Sequence, residues 1–178
     1  MFSMKVLIRS LGVKVFSVLF ISFFMVIAET EENEWRFNAL YITNFARYIK
    51  WPDSASQKII ITVLGNDPVF YELTKISKLI RNEKNLIIKS ETEPGKIHNT
   101  DIIFIPANRS EDLQKVVQQF DRKPVLIVTN KKGLISQGAC INLNNLYWKL
   151  RYEISVKNLK SHNLIADPIL FNLGKVFD

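Results

Sequence analysis

His98 and His162 are the only histidines in the 178-residue chain. A transition-metal site needs several nitrogen, sulfur or carboxylate ligands at short, regular spacing. Neither histidine stands in such a set. His98 falls in the polar stretch "ETEPGKIHN" and His162 in "NLKSHN", a helix end, and both are expected to be solvated. Cys140 is the single cysteine. It lies in the apolar, strand-like "GACINL", where a buried and inert thiol is expected, since a reactive one needs an electropositive, accessible setting. No G-x-S-x-G elbow and no Cys–His pairing motif occurs. "GNDP", 65–68, has one glycine and fits neither a P-loop nor a dinucleotide fingerprint. Asp53 follows Trp51-Pro52 and Asp167 precedes Pro168, positions that suit turns better than acid–base work. No catalytic residue, metal ligand or cofactor site is therefore expected, and the chain reads as a non-enzyme.

The first residues restrict where such a protein works. Lys5, Arg9 and Lys14 are the only charges before "VFSVLFISFFMVIA", residues 15–28, and charge resumes at Glu29, Glu31 and Glu32. A basic start, a short apolar run and Val26-x-Ala28 form a secretory signal peptide. Fourteen apolar residues fall short of the about 20 that span a bilayer. Cleavage after Ala28 is expected in preference to a retained anchor, giving residues 1–28 as leader and 29–178 as one periplasmic domain. Losing the three leader cations takes the formal charge from +7 to +4. With no run of Lys or Arg longer than two, no nucleic-acid partner is expected. One cysteine allows no internal disulfide framework.

The mature chain alternates between two periodicities. "KIIITVLG", 58–65, reads as a β-branched strand ended by Gly65. It is followed by a helix for which Asp67 is the cap and Pro68 the first turn, with Phe70, Leu73, Ile76 and Ile80 on one side. "NLIIKS", 85–90, is a short strand. "TDIIFIP", 100–106, and "KPVLIVTN", 123–130, are continuously apolar, as strands buried on both faces are. Between them Ser110 is placed to cap a helix with Glu111 and Asp112 in its first turn. "GACINL" and "LRYEISV" read as two more strands, and "LIADPILFNLGKVF" as a terminal helix interrupted near Asp167-Pro168. The fold class is α/β: a single three-layer αβα domain with a mostly parallel sheet and at least one antiparallel edge strand.

"NEWRFNALYITNFARYIKWP", 33–52, carries six of the twenty aromatic residues. At 100° per residue, Phe37, Leu40, Tyr41, Phe45, Tyr48 and Trp51 fall within an arc of about 140°. This arc is expected to pack on the sheet, with Pro52 ending the helix. Asn44 falls inside the arc and is expected to be a buried, hydrogen-bonded amide. Arg36, Arg47 and Lys50 lie on the remaining face, a candidate contact surface for an acidic partner.

"NALYITNFARYIKWP" resembles the opening motif of the YfiR-like family of periplasmic proteins, roughly A-x-x-x-Y-N-F-A-x-x-x-x-W-P. Ala39, Asn44, Phe45, Ala46, Trp51 and Pro52 agree, and Thr43 stands where the family commonly has Tyr. "ITVLGNDPVF", "DIIFIP" and "VLIVTNKKGLISQGACINLNNLYWKLRYEIS" are similar to later motifs of the family, in the same order. The resemblance covers about residues 35–175. Departures are Ala139 beside Gly138 in the family's glycine pair, Ser155 in place of an Asn, and Ala166-Asp167 in place of two serines. The resemblance implies structural roles for Asn44, Phe45, Trp51, Pro52, Gly65 and Gly138. It also implies a regulator that acts by binding, as inhibitors of a membrane-bound diguanylate cyclase do in cyclic-di-GMP signalling. Its partners would be a membrane protein with a periplasmic sensor segment and an outer-membrane lipoprotein. The alternative is a periplasmic small-ligand sensor coupled to a membrane kinase or transporter. A homodimer is compatible with the sequence, which fixes no oligomeric state.

Overall fold

Seven strands in the order β3-β2-β4-β5-β6-β7-β9 make the central sheet. They are β2 (Lys58–Leu64), β3 (Asn85–Glu91), β4 (Ile102–Ile105), β5 (Leu126–Thr129), β6 (Ile141–Leu146), β7 (Lys149–Ser155) and β9 (Lys175–Phe177). This computed structural model describes residues 34–52, 58–79, 85–146 and 149–178. The expected leader, Asp53 and Ile80 lie outside those residues. Arg36–Asp178 form one compact unit.

From β3 through β6 all neighbours are parallel. β7 runs antiparallel to β6, and β9 runs parallel to β7. β7 and β9 are therefore reversed relative to the body of the sheet, which gives the antiparallel edge expected, although β9 itself falls in the segment read as a terminal helix. Every residue of β4 and β5 is buried. Their continuous Ile, Leu, Val and Phe content is explained by helices covering both faces.

The helices are α1 (34–48), α2 (Val69–Leu79), α3 (Leu113–Gln119), α4 (Val156–Ser161) and α5 (Pro168–Leu173). Asp67 starts α2 as expected, its Oδ1 accepting from the Val69 amide at 3.0 Å. Two expectations change. Ser110 does not cap α3: it sits inside a 3-10 turn, Ala107–Asp112, and α3 begins at Leu113. Asp112 is instead buried, bound by Arg109 and Lys115. The C-terminal segment is not one interrupted helix. Ile165–Ala166 form strand β8, α5 follows from the Asp167 cap, and Lys175–Phe177 return to the sheet as β9. A helical period cannot reveal this, because segments of two, six and three residues are too short to show one.

β8 pairs antiparallel with β1 (Ile49–Lys50), directly after α1. The α1 helix thus ends at Tyr48, ahead of Pro52, because Ile49 and Lys50 are drawn into this two-stranded ladder. The Asp167 amide also donates to the Tyr48 carbonyl at 2.9 Å.

Candidate interaction surface

The α1 helix buries a face different from the expected one. Asn38, Ala39, Ile42, Thr43, Phe45 and Ala46 are buried, while Arg36, Phe37, Leu40, Asn44 and Arg47 are exposed. Around the helix the exposed group spans about 100°. Tyr41 and Tyr48 are half-buried at its border. Ala39, Thr43 and Ala46, spaced four and three residues apart, are the small residues of this buried side. The Thr43 hydroxyl is satisfied within the helix, donating to the Ala39 carbonyl at 2.8 Å. Bulk alone put the aromatic arc inside; the side that is buried is the one that carries the small residues. Asn44 is consequently a surface residue rather than a buried amide, and the buried asparagine of this helix is Asn38.

One flank of the aromatic arc does reach the core. Phe45 and Tyr41 meet Tyr152 of β7 edge-on, with ring centroids 5.3 and 5.6 Å apart. The Tyr152 hydroxyl donates to the Leu170 carbonyl of α5 at 2.6 Å. Trp51 is buried just past β1 and Pro52 is exposed. These contacts fix α1 against β7 and α5 and leave its outer face fixed in orientation.

That outer face is basic and apolar together. Phe37 is 37% and Leu40 38% exposed. Arg36 and Arg47 fall within about 20° of one another and about 16 Å apart along the axis. Lys50 is exposed in β1, its neighbour across the ladder being Ile165, which is 66% exposed. Among the described residues, no ion pair involves Arg36, Arg47 or Lys50. Cations left unpaired beside exposed apolar side chains suit an acidic, partly apolar partner surface. Reading the sequence for charge found the three cations but missed Phe37 and Leu40. The small-residue spacing of Ala39, Thr43 and Ala46 was the signal that could have found them.

The places where an αβα protein would hold a small ligand are filled differently. Strand order reverses between β2 and β4, so a crevice is expected beyond their C-terminal ends. There Gly65, at φ +86°, leaves room for Arg109: a Cβ on it would stand 3.2 Å from the guanidinium Nη1. Arg109 donates through Nε and Nη2 to Asp112 Oδ2 at 2.9 and 2.6 Å, and through Nη2 to the Thr92 carbonyl at 3.0 Å. Its Nε and Nη2 donors are thus engaged within the protein. Burial alone would raise the Asp112 carboxyl, but hydrogen bonds and charge from Arg109 and Lys115 outweigh it and hold the group below its ordinary value.

At the other end of the strands is an open cleft of about 350 Å³, lined by His98, Asp101, Gln119 and Lys123 among others. Asp101 accepts from the Ile60 amide, Gln119 donates to the Ile97 carbonyl and Lys123 to the Gln119 carbonyl. These groups tie loops together. His98 is exposed as expected, whereas His162 is buried at 4% exposure, with Nδ1 2.9 Å from the Lys123 carbonyl. The end of α4 packs against the loop before β5 and brings His162 in, a long-range contact with no local signature. Cys140 is fully buried, and burial pushes its thiol up to about 12. No cluster of three metal-ligating side chains occurs among the described residues. Gly138 adopts φ +110°, and a Cβ there would stand 2.8 Å from Val117 Cγ2. The neighbouring position carries Ala139, fully buried.

The sequence profile of the YfiR/HmsC-like family matches residues 36–175. The chain therefore belongs to the YfiR/HmsC-like family. No curated protein matches it.

Proposed function

We propose that the chain is exported, loses residues 1–28, and works in the periplasm as a regulatory binding protein. Its target is a membrane protein with a periplasmic sensor segment, and the best candidate is a diguanylate cyclase held inactive by the bound regulator. An outer-membrane lipoprotein is a second partner, which would release the cyclase by sequestering the regulator. Family membership is the observation that carries this reading. The exposed face of α1 supports it, because Arg36, Arg47 and Lys50 beside Phe37 and Leu40 supply a surface for an acidic partner.

Arg109, held by Asp112 and the Thr92 carbonyl beside Gly65, occupies the C-terminal ends of β2 and β3, which favours binding of a macromolecule over binding of a small ligand. The test is capture from the cell's own envelope fraction with the tagged chain, followed by mass spectrometry. A cyclase with a periplasmic segment among the captured proteins, together with a rise in cyclic-di-GMP on deleting the regulator, is the expected result. Capture of a transporter or histidine kinase, with cyclic-di-GMP unchanged, would overturn the proposal. The captured form should begin at Glu29 by intact mass.

A further inference from the structure

The outer face of α1 has a spacing as well as a charge. Phe37, Leu40, Asn44 and Arg47 follow one another at intervals of three, four and three residues, and all four are exposed. This is the a/d spacing of a heptad, the row of side chains that a second helix packs against as knobs into holes. The buried side of α1 is seated separately, on Tyr152 of β7 through Phe45 and Tyr41.

The composition of the row selects the helix that fits it. Phe37 and Leu40 supply apolar contact towards one end, Arg36 flanks Phe37, and Arg47 with Lys50 supplies charge at the other end. Asn44 stands at an a position, where a single polar side chain sets register at some cost in stability. A second copy of α1 is a poor match. Parallel pairing would set Arg36 against Arg36 and Arg47 against Arg47. Antiparallel pairing would bring Arg36 of each copy beside Arg47 of the other. Like charges meet either way, whereas a helix with carboxylates at both ends of its own row meets opposite ones. Acidic side chains favour the first turn of a helix, and the denser cations, Arg47 and Lys50, lie at the C-terminal end of α1. The incoming helix therefore runs antiparallel to α1.

An extended segment fits less well. Arg36 and Arg47 project in nearly the same direction, about 16 Å apart along the axis. Eleven residues of a helix reproduce both the distance and the direction. Five steps along a strand cover about 16 Å but turn the side chain to the opposite face.

We infer that the occupant of this face is an acidic amphipathic helix of the partner, packed antiparallel along the row from Phe37 to Arg47. The inference rests on the reading of this face as the partner surface, and it adds the partner's local structure, charge and direction.

Photocrosslinking in intact cells tests it, with Phe37→p-benzoylphenylalanine and Asn44→p-benzoylphenylalanine made separately in the full chain and the products mapped by mass spectrometry. The two positions stand about 10.5 Å apart along α1. The expected products attach to one segment of the partner about seven residues apart, position 37 joining the more C-terminal residue. Attachment points about three residues apart would mark an extended strand and overturn the inference. Products joining two copies of this chain, or no product from either position, would overturn it as well. Leu40→Asp, a surface change, should capture the crosslinked protein roughly tenfold less at a nearly constant melting temperature. Equal capture would contradict packing along this row. A cyclase attached at strand spacing fails the helix alone, while helical spacing on a protein that is no membrane sensor fails the proposed function alone.

Discussion

The hydroxyl of Tyr152 donates to the carbonyl of Leu170 at 2.6 Å, joining the reversed strand β7 to α5. The same ring packs edge-on against Phe45 of α1, and a Cβ at Gly174 would stand 2.5 Å from it. One side chain thus ties both α1 and α5 to β7. Tyr152→Phe would remove one of two donors to the Leu170 carbonyl, which keeps the Gly174 amide at 3.2 Å, with an expected loss of about 0.5–1.5 kcal/mol in chemical denaturation. Phe45→Ala should cost more, about 3–5 kcal/mol, as a core truncation at 0% exposure. Burial, and secondarily Tyr41, raises the Tyr152 hydroxyl to about 12. A raised folded value favours the neutral form. This contribution is fully present below the ordinary value of 10.0 and is lost as pH rises from there through about 12.

Asp112 has the opposite pH dependence. Its carboxyl is held below 3.8 in the folded chain, so the stabilisation is present above that value and is lost as pH falls through the lower, folded one. Asp112→Asn should cost about 1–3 kcal/mol near neutrality, because Arg109 loses its charged acceptor. The cost should shrink in acid melts below the ordinary carboxylate value, where the native residue is itself being protonated. An equal cost at both pH values would show that Arg109 does not depend on the carboxylate charge.

Cys140 should resist alkylation at neutral pH, since its thiol lies at 0% exposure and titrates only near 12. Mass spectrometry after iodoacetamide should find it unmodified in the native chain and modified in denaturant. Cys140→Ala should keep the fold and partner capture, with a packing loss of about 1–2 kcal/mol. Loss of capture with the fold intact would give the thiol a role that its burial argues against.

Asn44 shows where the sequence was legible and where it was not. The strands β2, β4 and β5 stand out because buried parallel strands are apolar at nearly every position, a signal independent of what packs on them. The rotation of α1 was not legible, because aromatic bulk outweighed the Ala39, Thr43 and Ala46 spacing on a helical wheel. Asn44→Leu should consequently shift stability by no more than about 0.5 kcal/mol, the usual range for a surface change, in a thermal melt. His162 and Asp112 were misplaced for a related reason. Their burial depends on Lys123 and Arg109 being brought against them by turns whose geometry no periodicity encodes.

The central claim is that the outer face of α1 binds an acidic partner, and one comparison tests it most directly. Arg36→Glu, Arg47→Glu and Lys50→Glu are combined, and capture of the envelope partner is measured across a salt series beside the native chain. All three positions are exposed, so the melting temperature should stay nearly constant. Capture by the native chain should weaken as salt rises, while the variant should capture roughly tenfold less at low salt and show a flatter salt dependence. Equal capture by the two proteins at every salt concentration would contradict the assignment of this face.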